Sequence, residues 1–145
     1  MKNKKSLLSK HAKSFNWAGF FLPKEIYKKC SMLYDFCRTL DDIVDEEINL
    51  ELKKEKFLKF KSSFQNKDFS DPVIRNIWFL LEEDNISKKI IYDLFEGVEY
   101  DLKSDLRIES RKELFIYSYR VAGTVGLMMA KILKVNKKSS LKSAI

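Results

Sequence analysis

Turn-forming residues and metal-binding imidazoles are both scarce here: four glycines, two prolines and one histidine among 145 residues. So few glycines and prolines exclude collagen-like and low-complexity chains, and leave little for the tight turns of an all-β fold. The one histidine, His11, cannot build a histidine metal site. The two cysteines, Cys30 and Cys37, fall on one predicted helix. They stand two turns apart there, about 10 Å by helical rise, too far for a disulfide. They read as reduced core residues of a cytosolic protein. No apolar run is long enough to cross a membrane, and the basic start lacks the apolar centre of a signal peptide.

What the chain does contain points to helices around an aromatic interior. Hydrophobic residues make up 45%, with 11 phenylalanines and six tyrosines. The length suits a single domain, 1–145, with a real core. The net charge of +7 is uneven. Residues 1–110 hold 20 basic and 20 acidic side chains, whereas 111–145 hold eight basic residues and one acid, Glu113. That lysine-rich end is either a solvated surface or a face for anionic lipid or diphosphate groups. Arginine is sparse and no helix-turn-helix, zinc or RNA-binding signature occurs, so no nucleic-acid partner is expected.

Apolar periodicity predicts the elements. Pro23 suits a helix start. From about 24 to 47 two stripes run in parallel. Ile26, Cys30, Leu33, Cys37, Leu40 and Val44 form a core row; Tyr27, Ser31, Tyr34, Arg38, Asp41 and Asp45 keep the same rhythm one residue later. Further helices are predicted over about 50–64, 73–81 and 88–104, with Glu82–Asn85 as a break and Ser87 as an N-cap. The fourth would bury Ile91, Leu94, Phe95, Val98 and Leu102. A last helix over about 111–133 would bury Leu114, Val121, Val125 and Met128 or Met129. No strand alternation longer than four residues and no repeat is present.

Two segments carry chemistry. The first, residues 34–46, reads YDFCRTLDDIVDE. Asp41 and Asp45 are four apart and share a face, with Arg38 on the same side. Two carboxylates one turn apart repel by roughly 2–3 kcal/mol at an effective dielectric near 20. On an exposed face that falls to a few tenths. Partly enclosed, the pair calls for a cation, and Mg²⁺ takes one or two carboxylates plus substrate phosphates. The alternative is a solvated acidic patch. Arg38 either pairs with Asp41 at i,i+3 or grips a diphosphate oxygen. The second segment, residues 117–126, reads YSYRVAGTVG. Gly123 and Gly126 inside a helix each cost roughly 1 kcal/mol against alanine, which suggests close approach by another helix or by an apolar ligand chain.

Taken in order, these segments resemble the squalene/phytoene synthases, the head-to-head branch of the trans-isoprenyl diphosphate synthases. Ser14-Phe15, Leu22-Pro23 and the block GVEYDL at 97–102 add to the likeness. The resemblance implies an all-α, antiparallel helical bundle of the isoprenoid synthase type around a large cavity. It implies Mg²⁺-dependent condensation (Mn²⁺ as substitute) of two prenyl diphosphates through a cyclopropyl intermediate to phytoene or squalene, with NADPH used only for squalene. Phytoene from geranylgeranyl diphosphate, in carotenoid biosynthesis, is the favoured product. By matching position, Asp41, Asp42 and Asp45 would hold metal, and Arg38 would contact diphosphate. Ser14 would bind substrate, and Tyr117, with Tyr34, would stand near the reacting carbons. Val121, Ala122, Val125 and Gly126 would line the prenyl channel. Such lipidic substrates imply a cytoplasmic location, with peripheral contact at the inner face of the membrane.

One departure matters. The family's second aspartate-rich motif should follow the 117–126 block, and Asp101-Leu-Lys-Ser-Asp105 precedes it; that stretch reads as a helix-end acidic pair. The chain therefore reads as an N-terminal half, inactive alone, with Val121, Val125, Met128 and Met129 partly bare and seeking a complementing half or another copy. Two further readings stay open: a non-catalytic relative serving assembly, and a basic helical domain binding membranes or acidic partners.

Overall fold

The computed structural model describes residues 21–45, 49–103 and 107–135, and all regular structure among them is helical. Six α-helices follow in order: α1 (Lys24–Asp45), α2 (Leu50–Gln65), α3 (Pro72–Glu83), α4 (Lys88–Asp101), α5 (Arg111–Ser118) and α6 (Thr124–Ile132). A π-helical turn, Tyr119–Gly123, joins α5 to α6 without a break.

Local chemistry sets the ends. The Pro23 carbonyl accepts the first helical bond of α1, from Tyr27 N at 2.9 Å. Asn49, Asp71, Ser87 and Ser110 cap the next four helices through their side-chain oxygens, Asp71 together with Pro72 in the first turn. The expected break after α3 is present. Asn85 there adopts φ 49°, a left-handed conformation that asparagine tolerates better than most residues. Lys29 Nζ reaches this turn and pairs with Asp84 Oδ1 at 2.7 Å.

α1 is the central element and packs on α2, α3, α4 and α6. That changes its expected core row. Phe36, outside the row, is fully buried, and Ser31 from the polar stripe is buried too, whereas Ile26, Cys37 and Val44 are only half-buried. A helix covered by four neighbours buries a wider arc than one 4,3 stripe. Phe36 anchors the aromatic interior, its ring 5.6 Å from Phe60, 6.4 Å from Phe64 and 6.1 Å from Phe95. Trp78 stacks on Phe64 at 5.0 Å and donates its indole N–H to the Phe64 carbonyl at 3.0 Å. Both cysteines are free. The expected buried row of α4 holds at all five positions.

The last helix departs most from expectation. Its predicted uniform α-helix contains the π turn, closed by Thr124 N–H donating to the Tyr119 carbonyl five residues back. The expected burial of Leu114 is wrong: α5 buries no residue, and Leu114, Phe115 and Ile116 are exposed. Packing begins near the end of α5, at the half-buried Tyr117, just before the π turn. Met128 is fully buried, as its expected core position requires and against its being partly bare, while Val121, Val125 and Met129 are half-buried and so partly bare as expected. Val125 and Met129 pack against the core.

The π turn seats on α4 at Gly97. A Cβ built there would stand 2.8 Å from Arg120 Cβ and 2.9 Å from Val121 Cγ1. Neither atom is the free end of a flexible chain, so the helices would have to part. Gly97→Ala should therefore cost about 1–3 kcal/mol of stability despite its better helix propensity. Chemical denaturation checks this, and an unchanged midpoint would show that the two segments separate freely.

Candidate functional site

The last two turns of α1 carry the acidic segment. Arg38 pairs with Asp42, Nη2 to Oδ1 at 2.7 Å, rather than with Asp41. The helical turn explains the difference: i+4 lies about 40° from Arg38 around the axis and i+3 about 60°. Arg38 keeps its Nε buried with no hydrogen-bond partner among the described residues. Asp41 and Asp45 stay open at the rim. The Asp41 carboxyl is nonetheless pushed above the usual carboxylate range, first by partial burial and then by the charge of Asp45; Arg38 opposes the rise and Asp42 adds to it. Beneath it the Cys37 thiol is pushed up to about 12, by burial and then by Asp41.

These groups fit a hard cation, though not as a closed cage. Among the described residues no three acidic, cysteine or histidine side chains converge on one point. Two neighbouring carboxylates remain, the charge of Asp45 raising the proton affinity of Asp41, which suits an ion that completes its shell with water and phosphate oxygens.

The second segment comes to the same end of the bundle through α4. Tyr117 donates its hydroxyl to Asp101 Oδ1 at 2.8 Å, and its ring lies 5.8 Å from that of Tyr100. Burial first, then the Asp101 hydrogen bond and charge, lift the Tyr117 phenol to about 12. Asp101 is itself raised, mainly by burial, with Tyr117 lowering it and the charge of Asp45 on α1 raising it. Asp45 and Tyr117 thus face one neighbourhood with Asp101 between them. Asp101 is the last residue of α4, in keeping with the helix-end reading, and it also holds Tyr117; Asp105 lies outside the described residues. The π turn also brings in Tyr119, which donates to Asp93 Oδ2 at 3.2 Å, and Arg120, which pairs with Glu96. In an ordinary α-helix residues two apart do not share a face. Tyr117 and Tyr119 nonetheless both reach α4, at its last residue Asp101 and near its middle at Asp93.

Of the remaining residues marked in the sequence, Tyr34 is half-buried on α1. Val121 is half-buried against Gly97, Val125 and Gly126 are half-buried, and Ala122 is exposed. Ser14 lies outside the described residues. A cleft of about 240 Å³ opens beside Tyr117, lined also by Tyr100, Glu113, Ile116 and Arg120. It is smaller than pockets that hold drug-sized ligands, about 300–1,000 Å³. Sequence reasoning passed over Asp93, counted Gly97 only toward the family likeness, and paired Asp101 with Asp105 instead of Tyr117. Their i, i+4, i+8 spacing on a helix with a small residue at its centre was the available signal.

The sequence model of the squalene/phytoene synthase family matches residues 8–145. The chain belongs to that family. It is 30% identical over 145 residues to a bifunctional lycopene cyclase/phytoene synthase of Phaeosphaeria nodorum, a match covering 87% of this chain and 24% of the relative. It is 24% identical to the 15-cis-phytoene synthase of Pantoea ananas, over 92% of this chain and 47% of that protein. Among solved structures it is similar to a dehydrosqualene synthase crystallised with a ligand, at TM-score 0.74 and 28% identity, covering 88% of this chain and 44% of the other. This squalene/phytoene synthase family chain thus spans less than half the length of these relatives, and its helices follow the isoprenoid synthase fold. Among the described residues no helix is long and apolar enough to cross a membrane.

Proposed function

We propose that this chain takes part in Mg²⁺-dependent head-to-head condensation of two prenyl diphosphates, with geranylgeranyl diphosphate as substrate and phytoene as product, in carotenoid biosynthesis. One observation carries the reading. Tyr117 and the acidic end of α1, far apart in sequence, are joined through Asp101, which holds the Tyr117 hydroxyl and feels the charge of Asp45. Family membership and the phytoene synthases among its relatives support the same chemistry.

Asp41 and Asp45 would hold Mg²⁺, with Mn²⁺ as substitute. When bound, the ion neutralises charge on a departing diphosphate. Arg38, fixed by Asp42, offers its unused Nε–H to a diphosphate oxygen. Asp42 orients the guanidinium more than it binds metal. Tyr117, with Tyr34, presents a ring face and hydroxyl to an allylic cation. Val121, Ala122, Val125 and Gly126, with Ser14, would contact the prenyl chain. Apolar walls keep water from that cation. NADPH enters only if squalene is the product. A complementing half or a second copy would complete the site, so the 145 residues alone turn over little substrate. Lipidic substrates favour a cytoplasmic chain in peripheral contact with the membrane.

The test is calorimetric binding of a non-ionising geranylgeranyl thiodiphosphate to the 145-residue chain. Binding should require Mg²⁺ and vanish with chelator. Binding that ignores Mg²⁺ and fades with salt would mark a basic surface instead. Absence of binding would favour a non-catalytic relative.

A further inference from the structure

We infer that Asp101 is a positioning residue, fixing the phenol of Tyr117 so that its oxygen lone pairs and ring face meet a cation formed beside Asp41 and Asp45. The inference rests on the proposed function and goes beyond it in assigning a role to α4.

Three constraints act on one side chain. The Tyr117 hydroxyl proton is committed to Asp101 Oδ1 at 2.8 Å. Its ring is held on one side by Tyr100, the centroids 5.8 Å apart. The backbone that carries it is seated against Gly97, where no side chain intervenes. A phenol without such a bond must give up rotational freedom to turn its lone pairs toward a nearby cation, since a proton aimed at the cation is repulsive. With the proton committed to a carboxylate, the oxygen is more electron-rich and its free lone pairs point away from Asp101. No acidic trio converges among the described residues. Asp101 therefore acts through Tyr117 and not as a third metal ligand.

The distinguishing experiment compares two analogues on the chain as it stands: a geranylgeranyl thiodiphosphate whose prenyl group is uncharged (the neutral analogue) and an ammonium-bearing prenyl diphosphate that mimics the cation. In Asp101→Leu the ammonium analogue should lose roughly tenfold in affinity, the scale of a desolvated cation–π contact. The neutral analogue should stay within about twofold, well under the 1.4 kcal/mol of a tenfold change. Asp101→Asn, which keeps an acceptor of the same shape, should lose less and guards against misfolding of the leucine variant. Ultraviolet titration adds a ligand-free readout. The Tyr117 phenol, identified by subtracting Tyr117→Phe, should titrate at lower pH in Asp101→Asn than its original value of about 12. Equal loss for both analogues would reduce Asp101 to a structural bond and overturn the inference alone. If neither analogue binds the original chain, the proposed function falls and this inference with it.

Discussion

Replacing both Asp41 and Asp45 by asparagine should weaken Mg²⁺-dependent binding of the geranylgeranyl thiodiphosphate by about 100-fold, a loss of about 2.7 kcal/mol. The chain should not lose stability in exchange. The two carboxylates already work against each other, Asp41 being raised by burial and by Asp45. Removing one such repulsion on a rim typically gains a few tenths of a kcal/mol. The pH dependence carries the same sign. Because the folded-state pKa of Asp41 lies above its unfolded value, its contribution favours folding at low pH and is lost as pH rises through the raised value. In the double variant that portion of the pH dependence should be gone. Calorimetric titration and urea unfolding at two pH values measure both effects. Retained Mg²⁺-dependent binding in the double variant would place the metal elsewhere.

Lys29→Ala should give the largest stability change. Lys29 and Asp84 pair at 2.7 Å with only 13% and 5% of their side chains exposed. Removing the lysine strands a buried carboxylate, at a cost of about 3–5 kcal/mol. For a chain of this size that corresponds to a melting temperature lower by roughly 10–15 °C. The double replacement Lys29→Met, Asp84→Leu should recover most of the loss, since well-packed apolar pairs substitute for buried ion pairs. A single variant that melts within a few degrees of the original would mean that water reaches Asp84 and the pair is weak.

The sequence resolved the molecule unevenly, for physical reasons. α2, α3 and α4 were legible because their apolar periodicity is regular, and for α4 the Ser87 cap points the same way; the caps Asn49 and Asp71 emerged only in the fold. Phe36 was not, because a single row assumes one buried face while α1 is enclosed by four helices. The Arg38 partner shifted from Asp41 to Asp42, a choice between i+3 and i+4 that composition does not make. Leu114 looked like core because its spacing continued that of Val121. The π turn interrupts that phase, and nothing in the propensities of YRVAG announces an i→i+5 bond. Gly123 and Gly126 drew attention as points of close approach; among the described residues a contact too tight for a Cβ lies at Gly97 on the facing helix, which the glycine reading did not weigh. Asp101 was hidden by its proximity in sequence to Asp105, although its tertiary partner is Tyr117.

The bulged segment from Tyr119 to Gly123 has an evolutionary corollary. One surplus peptide unit is stored there, and everything downstream is phased to it, including the fully buried Met128 and Ile132. Loss of a single codon inside the bulge would remove that unit and let the helix close to ordinary pitch with Met128 and Ile132 still on their buried face, whereas a loss between Thr124 and Leu127 would turn both by about 100°. The bulge is therefore the point where this helix can shed a residue, at the expense of the contacts that Tyr119 and Arg120 make with α4.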